Sequence, residues 1–164
     1  MVPVSVLILA KNEEKNMVDC INSVKFASDI VVIDDFSTDT TKQLSESLGA
    51  RVITHAMAGD WGQQQTFAIH QAKERWVLFL DADERISEPL AEEIGKTVAL
   101  DKPIAYWIRR ENKFKHEKAT HGILRPDYVD RLFLAEGSYV KGFVHPKIVT
   151  PYKNEKLKNV MYHF

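Results

Sequence analysis

The sequence predicts an α/β domain: a mostly parallel sheet with flanking helices and a mixed β extension in the C-terminal half. Three observations carry this. Short, fully apolar runs (VSVLILA, IVVI and WVLFL) read as strands buried on both faces of a sheet. Amphipathic stretches at helical spacing alternate with them, which implies parallel strands joined by right-handed crossovers. After Leu100 the alternation gives way to shorter, mixed pieces.

Each element has its own signal. Val4–Ala10 is the first strand. A helix opens at Lys15 or Asn16 and runs to about Phe26, with Met17, Cys20, Ile21 and Val24 on one face. Ile30–Ile33 is the second strand. Ser37-Thr38-Asp39 is a turn and cap signal for a helix that ends at Leu48, where Gly49 suits the C′ position. Arg51–Thr54 is a short strand, His55–Gly62 a loop, Gln63–Glu74 a helix and Trp76–Leu80 a strand that runs into the acids from Asp81. Ser87 caps a helix that has Pro89 in its first turn and reaches Leu100. Ile104–Arg110 reads as a strand and Glu111–Gly122 as a polar loop. Tyr128–Leu134 and Ser138–Val140 read as a hairpin around Glu136-Gly137. Phe143–Val149 is a strand interrupted at His145-Pro146, Lys153–Lys158 a basic polar stretch, and Asn159–Phe164 a final strand.

Composition narrows the class. With 164 residues, 45% hydrophobic and 27% charged, the chain has the make-up of one soluble globular domain, residues 1–164. A chain of this length buries roughly 70% of its unfolded surface. The net charge of −1 provides no basic field, so a nucleic-acid partner is not expected. The single cysteine, Cys20, excludes an internal disulfide and reads as a packed thiol. No apolar run approaches the ~20 residues of a membrane span, and the N-terminus lacks the basic n-region of a signal peptide.

Three strand ends carry the chemistry. The first leads into Asn12 and Glu13, the second ends in Asp34 and Asp35, and the Trp76 strand ends in Asp81-Ala82-Asp83-Glu84. In open α/β sheets ligands bind beyond the carboxyl ends of the strands, at a topological switch point. Were these strands neighbours, their acids would face one crevice, and the repulsion would favour a shared cation. A D-x-D pair can approach a hard divalent ion through oxygen. An acidic strand-to-helix turn is the plainer reading of the same residues. The first turn, AKNEEKN, has no glycine, which excludes a dinucleotide fingerprint and a P-loop. Phosphates would then be held by a metal rather than by a backbone nest.

VSVLILAKNEEKNM, IVVIDDFSTDTT and VLFLDADERIS, in this order and at these intervals, closely resemble family-2 glycosyltransferases of the Rossmann-like GT-A fold. The resemblance covers about residues 2 to 100; PDYVDRLF and VHP further resemble the lipopolysaccharide-core and β-glucosyltransferase branch. It implies inverting transfer of a sugar from a nucleoside diphosphate donor, expected to be a UDP-sugar, with Mg²⁺ or Mn²⁺. The implied acceptor is a saccharide or lipid-linked glycan of a bacterial envelope, and the implied location is cytoplasmic, with peripheral contact at the inner face of the membrane. Residues 1–100 would bind the donor and 101–164 would form the acceptor side. Members of this branch usually continue beyond the position of Phe164, which keeps a donor-binding module without turnover as the alternative.

The resemblance assigns roles to residues. Ala10, Asn12, Glu13, Asp34, Asp35, Asp81 and Gln64 would line the donor nucleotide, with Asp35 accepting from the uracil N3–H. Asp83 and Asp81 would hold the metal, with His145 closing the site; a turn residue is the plainer reading of His145. Phe36 stands where a small residue is common, and Thr66 replaces a common Asn. The family usually carries its base in an E-D or D-D pair downstream, and no such pair occurs. Asp130 and Asp127 in RPDYVDRLF are the nearest candidates, with Glu84 and Glu136 behind them; an ordinary exposed acid is the competing reading for each. Arg125 and Arg131 would neutralise phosphate or pair with nearby acids. Trp61 would stack on a sugar or base, or pack over the sheet edge.

Overall fold

The computed structural model describes residues 1–113 and 127–164. An eight-stranded sheet forms the centre, with strand order β3-β2-β1-β4-β7-β6-β10-β5. β1 (Val2–Ala10), β2 (Ala27–Asp34), β3 (Arg51–Thr54) and β4 (Trp76–Asp81) are mutually parallel. β7 (Asp127–Leu134) runs antiparallel between β4 and β6 (Ile104–Asn112). β10 (Lys153–His163) is parallel to β6 and antiparallel to β5 (Glu84–Ile86).

Alternation along the strands builds two apolar layers. Val4, Val6 and Ile8 of β1 and Leu78 and Leu80 of β4 face α1 (Glu14–Asn22) and α4 (Glu88–Leu100). Leu7 of β1 and Val77 and Phe79 of β4 face α3 (Trp61–Gln71). Continuous apolar runs are needed here because both faces are covered. Cys20 packs within the first layer, and burial pushes its thiol up to about 12, so it is an inert packed group. The sheet reverses its order at β1, whose neighbours are β2 and β4, which makes the carboxyl ends of these strands the expected binding edge.

Several elements differ from the sequence reading, each for a local reason. α3 starts at Trp61 because the Asp60 carboxylate caps it, accepting from the Gln63 N–H at 3.0 Å. It stops at Gln71 because the Ser5 hydroxyl accepts the N–H groups of Lys73 and Glu74. α1 stops at Asn22, and α2 is the short helix Thr41–Ser47. The predicted β7–β8 hairpin does not form. β7 is taken up as an interior strand, while β8 (Tyr139–Lys141) pairs with β9 (Lys147–Val149) in a separate two-stranded sheet. Gly142, at φ +114°, and Pro146 confine strand structure there to Lys147–Val149. The basic stretch from Lys153 is part of β10. Its register shifts between Lys156 and Val160, where Glu93 accepts the N–H groups of Lys158 and Asn159 at 2.6 and 2.9 Å. β5 had no sequence signal. Glu111 and Asn112 belong to β6, and the expected loop from residue 114 onward, with Arg125, lies outside the described residues.

A polar staple sits at the opposite end of the sheet. The Asp29 carboxylate is buried, accepts from Ser5 Oγ at 2.6 Å, and receives Arg51 through Nε and Nη2 at 2.9 and 3.1 Å. Burial raises the Asp29 pKa, but Arg51, Ser5 and the Lys73 N–H together hold it below the usual carboxylate range. The native pKa is depressed, so the carboxylate stabilises the fold above the unfolded value near ~3.9. That contribution is lost as pH falls through the native value. Asp29→Asn is expected to cost about 1–3 kcal/mol at neutral pH. Urea unfolding of both proteins should show this gap closing as the pH drops below ~4.

Candidate functional site

The register brings the three acidic strand ends side by side: Ala10 lies opposite Asp34, and Leu9 opposite Asp81. Two loops leave this edge and are laced together. The Asn12 N–H donates to Ser37 Oγ at 2.8 Å, and Asn12 Oδ1 accepts the Thr38 N–H at 2.8 Å. Asn12 and Phe36 both have left-handed backbones, at φ +53° and +51°, a region that costs free energy for residues other than glycine. Glu13 sits ahead of α1, where its N–H donates to Thr41 Oγ1 and its carboxylate accepts from Asn16 Nδ2. Asp34 is buried and accepts the Ser37 N–H through Oδ2. Its Oδ1 has no partner among the described residues. Asp35 accepts the Met57 N–H at 3.2 Å and lies 3.6 Å from Lys11 Nζ.

The end of β4 rests on a buried charge network. Glu84 is fully buried, and its Oε2 accepts the Asp81 N–H at 3.0 Å. Its Oε1 receives Arg131 Nη2 at 2.9 Å and Arg110 Nη1 at 3.4 Å. The same Arg131 nitrogen donates to Asp81 Oδ2 at 2.9 Å. Burial works against the Arg131 charge, but Asp81 and Glu84 outweigh it and raise its pKa. Arg110 also pairs with Asp127.

Asp83 is supported differently. Its Oδ2 lies 3.1 Å from His163 Nε2, and His163 Nδ1 faces Asn112 Oδ1 at 2.8 Å. The Asn112 oxygen can accept from Nδ1, an arrangement that turns Nε2 toward Asp83. No group of three or more His, Cys, Asp or Glu side chains converges in metal-holding geometry among the described residues. A hard divalent ion that keeps waters and substrate phosphates needs only one or two protein carboxylates, and half-exposed Asp83 beside His163 meets that requirement.

A cleft of about 450 Å³ opens next to this edge, with Trp61, Gln65, Asp81, Tyr128, Asp130 and Lys147 in its lining. Burial raises the Asp130 pKa above the ordinary carboxylate value, against the lowering influence of Trp107, Lys147 and Arg131. Of the two base candidates, Asp130 lines the cleft, whereas Asp127 is held by Arg110. Trp61 stands at the cleft, partly exposed. Gln64 is buried: its Nε2 donates to the His55 carbonyl and its Oε1 meets His55 Nδ1, both at 2.6 Å. Its amide is used within the protein, and Gln65 faces the cleft instead. His145 lies exposed in the turn before β9 and makes no side-chain hydrogen bond or ion pair among the described residues. His163, Arg131 and Arg110 complete the edge. Of the two readings the sequence offered for Arg131, the structure shows the pairing with nearby acids, Asp81 and Glu84; for His163 there was no sequence signal.

The sequence profile of glycosyl transferase family 2 matches residues 5–157. The chain belongs to this family. Among its relatives, an uncharacterized glycosyltransferase of Rickettsia typhi is 40% identical over 113 residues, covering 66% of this chain and 38% of that protein. The lipopolysaccharide core biosynthesis glycosyltransferase LpsC of Rhizobium meliloti is 34% identical over 110 residues, covering 64% and 40%. The chain therefore spans about two fifths of the length of these curated relatives. Staphylococcus aureus TarS 1–349 in complex with UDP-GlcNAc superimposes with a TM-score of 0.69 at 16% identity, covering 99% of this chain and 58% of that one. Glucosyl-3-phosphoglycerate synthase of Mycobacterium tuberculosis, with Mn²⁺, UDP and glucosyl-3-phosphoglycerate, gives 0.53 at 21% identity, covering 68% and 44%. These likenesses establish the GT-A fold for this family-2 domain.

The network under Asp81 sets a stability test. Arg131→Met would leave Glu84 and Asp81 without their shared cation, and removing one partner of a buried pair costs about 3–5 kcal/mol. The urea midpoint should fall accordingly, and adding Glu84→Gln should recover part of the loss.

Proposed function

We propose that this domain transfers a sugar from a nucleoside diphosphate donor, a UDP-sugar, to a saccharide or lipid-linked acceptor of a bacterial envelope glycan, with inversion and with a divalent cation. One observation supports the reading: the acids of three neighbouring strand ends meet at the switch point, and Asp130 lines the cleft beside them together with Asp81. The envelope acceptor rests on the likeness to LpsC, and the UDP donor and Mn²⁺ on the ligands of TarS and the mycobacterial synthase.

The residues divide the work. Asp35 accepts a base N–H, while Asn12 and Glu13 shape the nucleoside end. Asp83 and His163 hold the cation, which when bound supplies Lewis-acid stabilisation of the departing diphosphate. Asp81, fixed by Arg131 through one oxygen, presents its other oxygen toward the donor. Asp130 takes the acceptor proton. Its raised pKa suits this role, because a base works best when its pKa approaches the working pH. Attack from the Asp130 side, opposite the diphosphate, gives inversion.

Two measurements test the reading. Calorimetry should show UDP binding with Mn²⁺ that disappears with EDTA and in Asp83→Ala; metal-independent binding, or none with UDP, would count against it. Asp130→Asn should keep UDP affinity while UDP release from UDP-glucose or UDP-GlcNAc, in the presence of saccharide acceptors, falls by about 10²–10⁴. The wild-type rate should decline on acidification as Asp130 protonates, at a pH above the ~3.9 of an ordinary aspartate. Normal turnover in Asp130→Asn would remove it as the base.

A further inference from the structure

The β8–β9 hairpin has two unlike faces. Val140 and Ile148 lie opposite each other and pack into the α3 side of the core. On the other face Lys141 lies directly opposite Lys147, with Tyr139, 48% exposed, opposite Val149. Like charges facing across a strand pair are unfavourable, and among the described residues neither lysine forms a salt bridge. The turn above them exposes two apolar side chains, Phe143 and Val144, each at 70%. The tip is not loosely attached. The Trp61 and Gly62 N–H groups donate to the carbonyls of Phe143 and Gly142 at 3.1 and 3.0 Å. A Cβ on Gly62 would come within 2.7 Å of the Gly142 carbonyl oxygen, so the close approach requires glycine. Folding thus holds an apolar tip in water above two facing cations without a salt bridge, of which Lys147 also feels the Asp130 carboxylate in the cleft.

We propose that this hairpin is a docking face for an anionic lipid surface, with Phe143 and Val144 entering the headgroup boundary and Lys141 and Lys147 meeting lipid phosphates. Apolar groups at a tip and cations just behind them match the layering of such an interface, where juxtamembrane lysines each add attraction. A second copy of the chain would bring the same lysines against one another, so charge favours the lipid. Val144, Pro146 and Lys147 also line the cleft. Docking would therefore turn the cleft mouth toward the bilayer, where a lipid-linked acceptor presents its sugar. This last step rests on the transferase reading; the docking itself does not.

Co-sedimentation of the 164-residue chain with phosphatidylglycerol–phosphatidylcholine vesicles tests the proposal, with pure phosphatidylcholine vesicles as the control. Binding should need the anionic lipid and weaken with salt. Phe143→Ser should abolish most of it, and Lys141→Gln should weaken it about fivefold. UDP affinity with Mn²⁺ should be unchanged in both variants. A chain that binds UDP but neither vesicle overturns the lipid face and leaves the donor reading standing. Anionic-vesicle binding without UDP binding supports the face and counts against the donor reading. Equal binding to both vesicles overturns the face, as does a concentration-dependent dimer that Phe143→Ser abolishes in a chain that ignores vesicles.

Discussion

A buried carboxylate with no water around it must be satisfied by its neighbours, and Glu84 imposes that constraint on the whole site. It is fully buried, so Arg131 and Arg110 must reach it, and it in turn holds the Asp81 N–H. Arg131 comes from β7 and Arg110 from β6, so two strands of the C-terminal half are pinned beneath the end of β4. The turn from β4 into β5 follows, and with it the pairing of Glu84 to His163 on β10. The two halves of the sheet are thus joined through one buried side chain.

The same network allocates charge along the edge. Asp35 has Lys11, Asp81 and Glu84 share Arg131, and Asp127 has Arg110. Asp83 is matched only with His163, a group whose charge is conditional. Asp34, Glu13 and Asp130 form no ion pair among the described residues, so several acids of this edge are left without a cation, half-exposed Asp83 being matched only by a histidine. Burial raises the Asp130 pKa above the ordinary carboxylate value.

The first half of this arrangement was legible in the sequence because it is local. Uninterrupted apolar runs gave β1, β2 and β4, and the glycine-free first turn excluded a phosphate nest. That the three strand ends are neighbours was only a condition in the sequence, and the order β2-β1-β4 meets it. The second half was less legible because long-range pairing decides it. β7 has the pattern of a hairpin arm, yet it is drawn into the sheet between β4 and β6. Glu84–Ile86 is too short to read as a strand until Met161 to His163 pair with it. Gln64 read as a donor contact and His145 as a metal ligand or, more plainly, a turn residue; Gln64 is instead buried against His55, His145 lies exposed in its turn, and the end of β10 brings His163 to Asp83. Single residues at strand ends carry no periodicity, so pattern reading passes over a histidine such as His163.

The pairing of Asp83 with His163 also sets an order of events in time. The two residues are 80 positions apart, and between them lie the helix and strands that must pair before β10 can take its place between β6 and β5. Closing so long a loop is entropically slow, and such non-local strand pairing comes late in folding. The lacing of the loops after β1 and β2, built from contacts between neighbouring βα units, can form early. A chain caught partway would hold these two laced loops without the Asp83–His163 pair, which is completed only when β10 docks between β6 and β5.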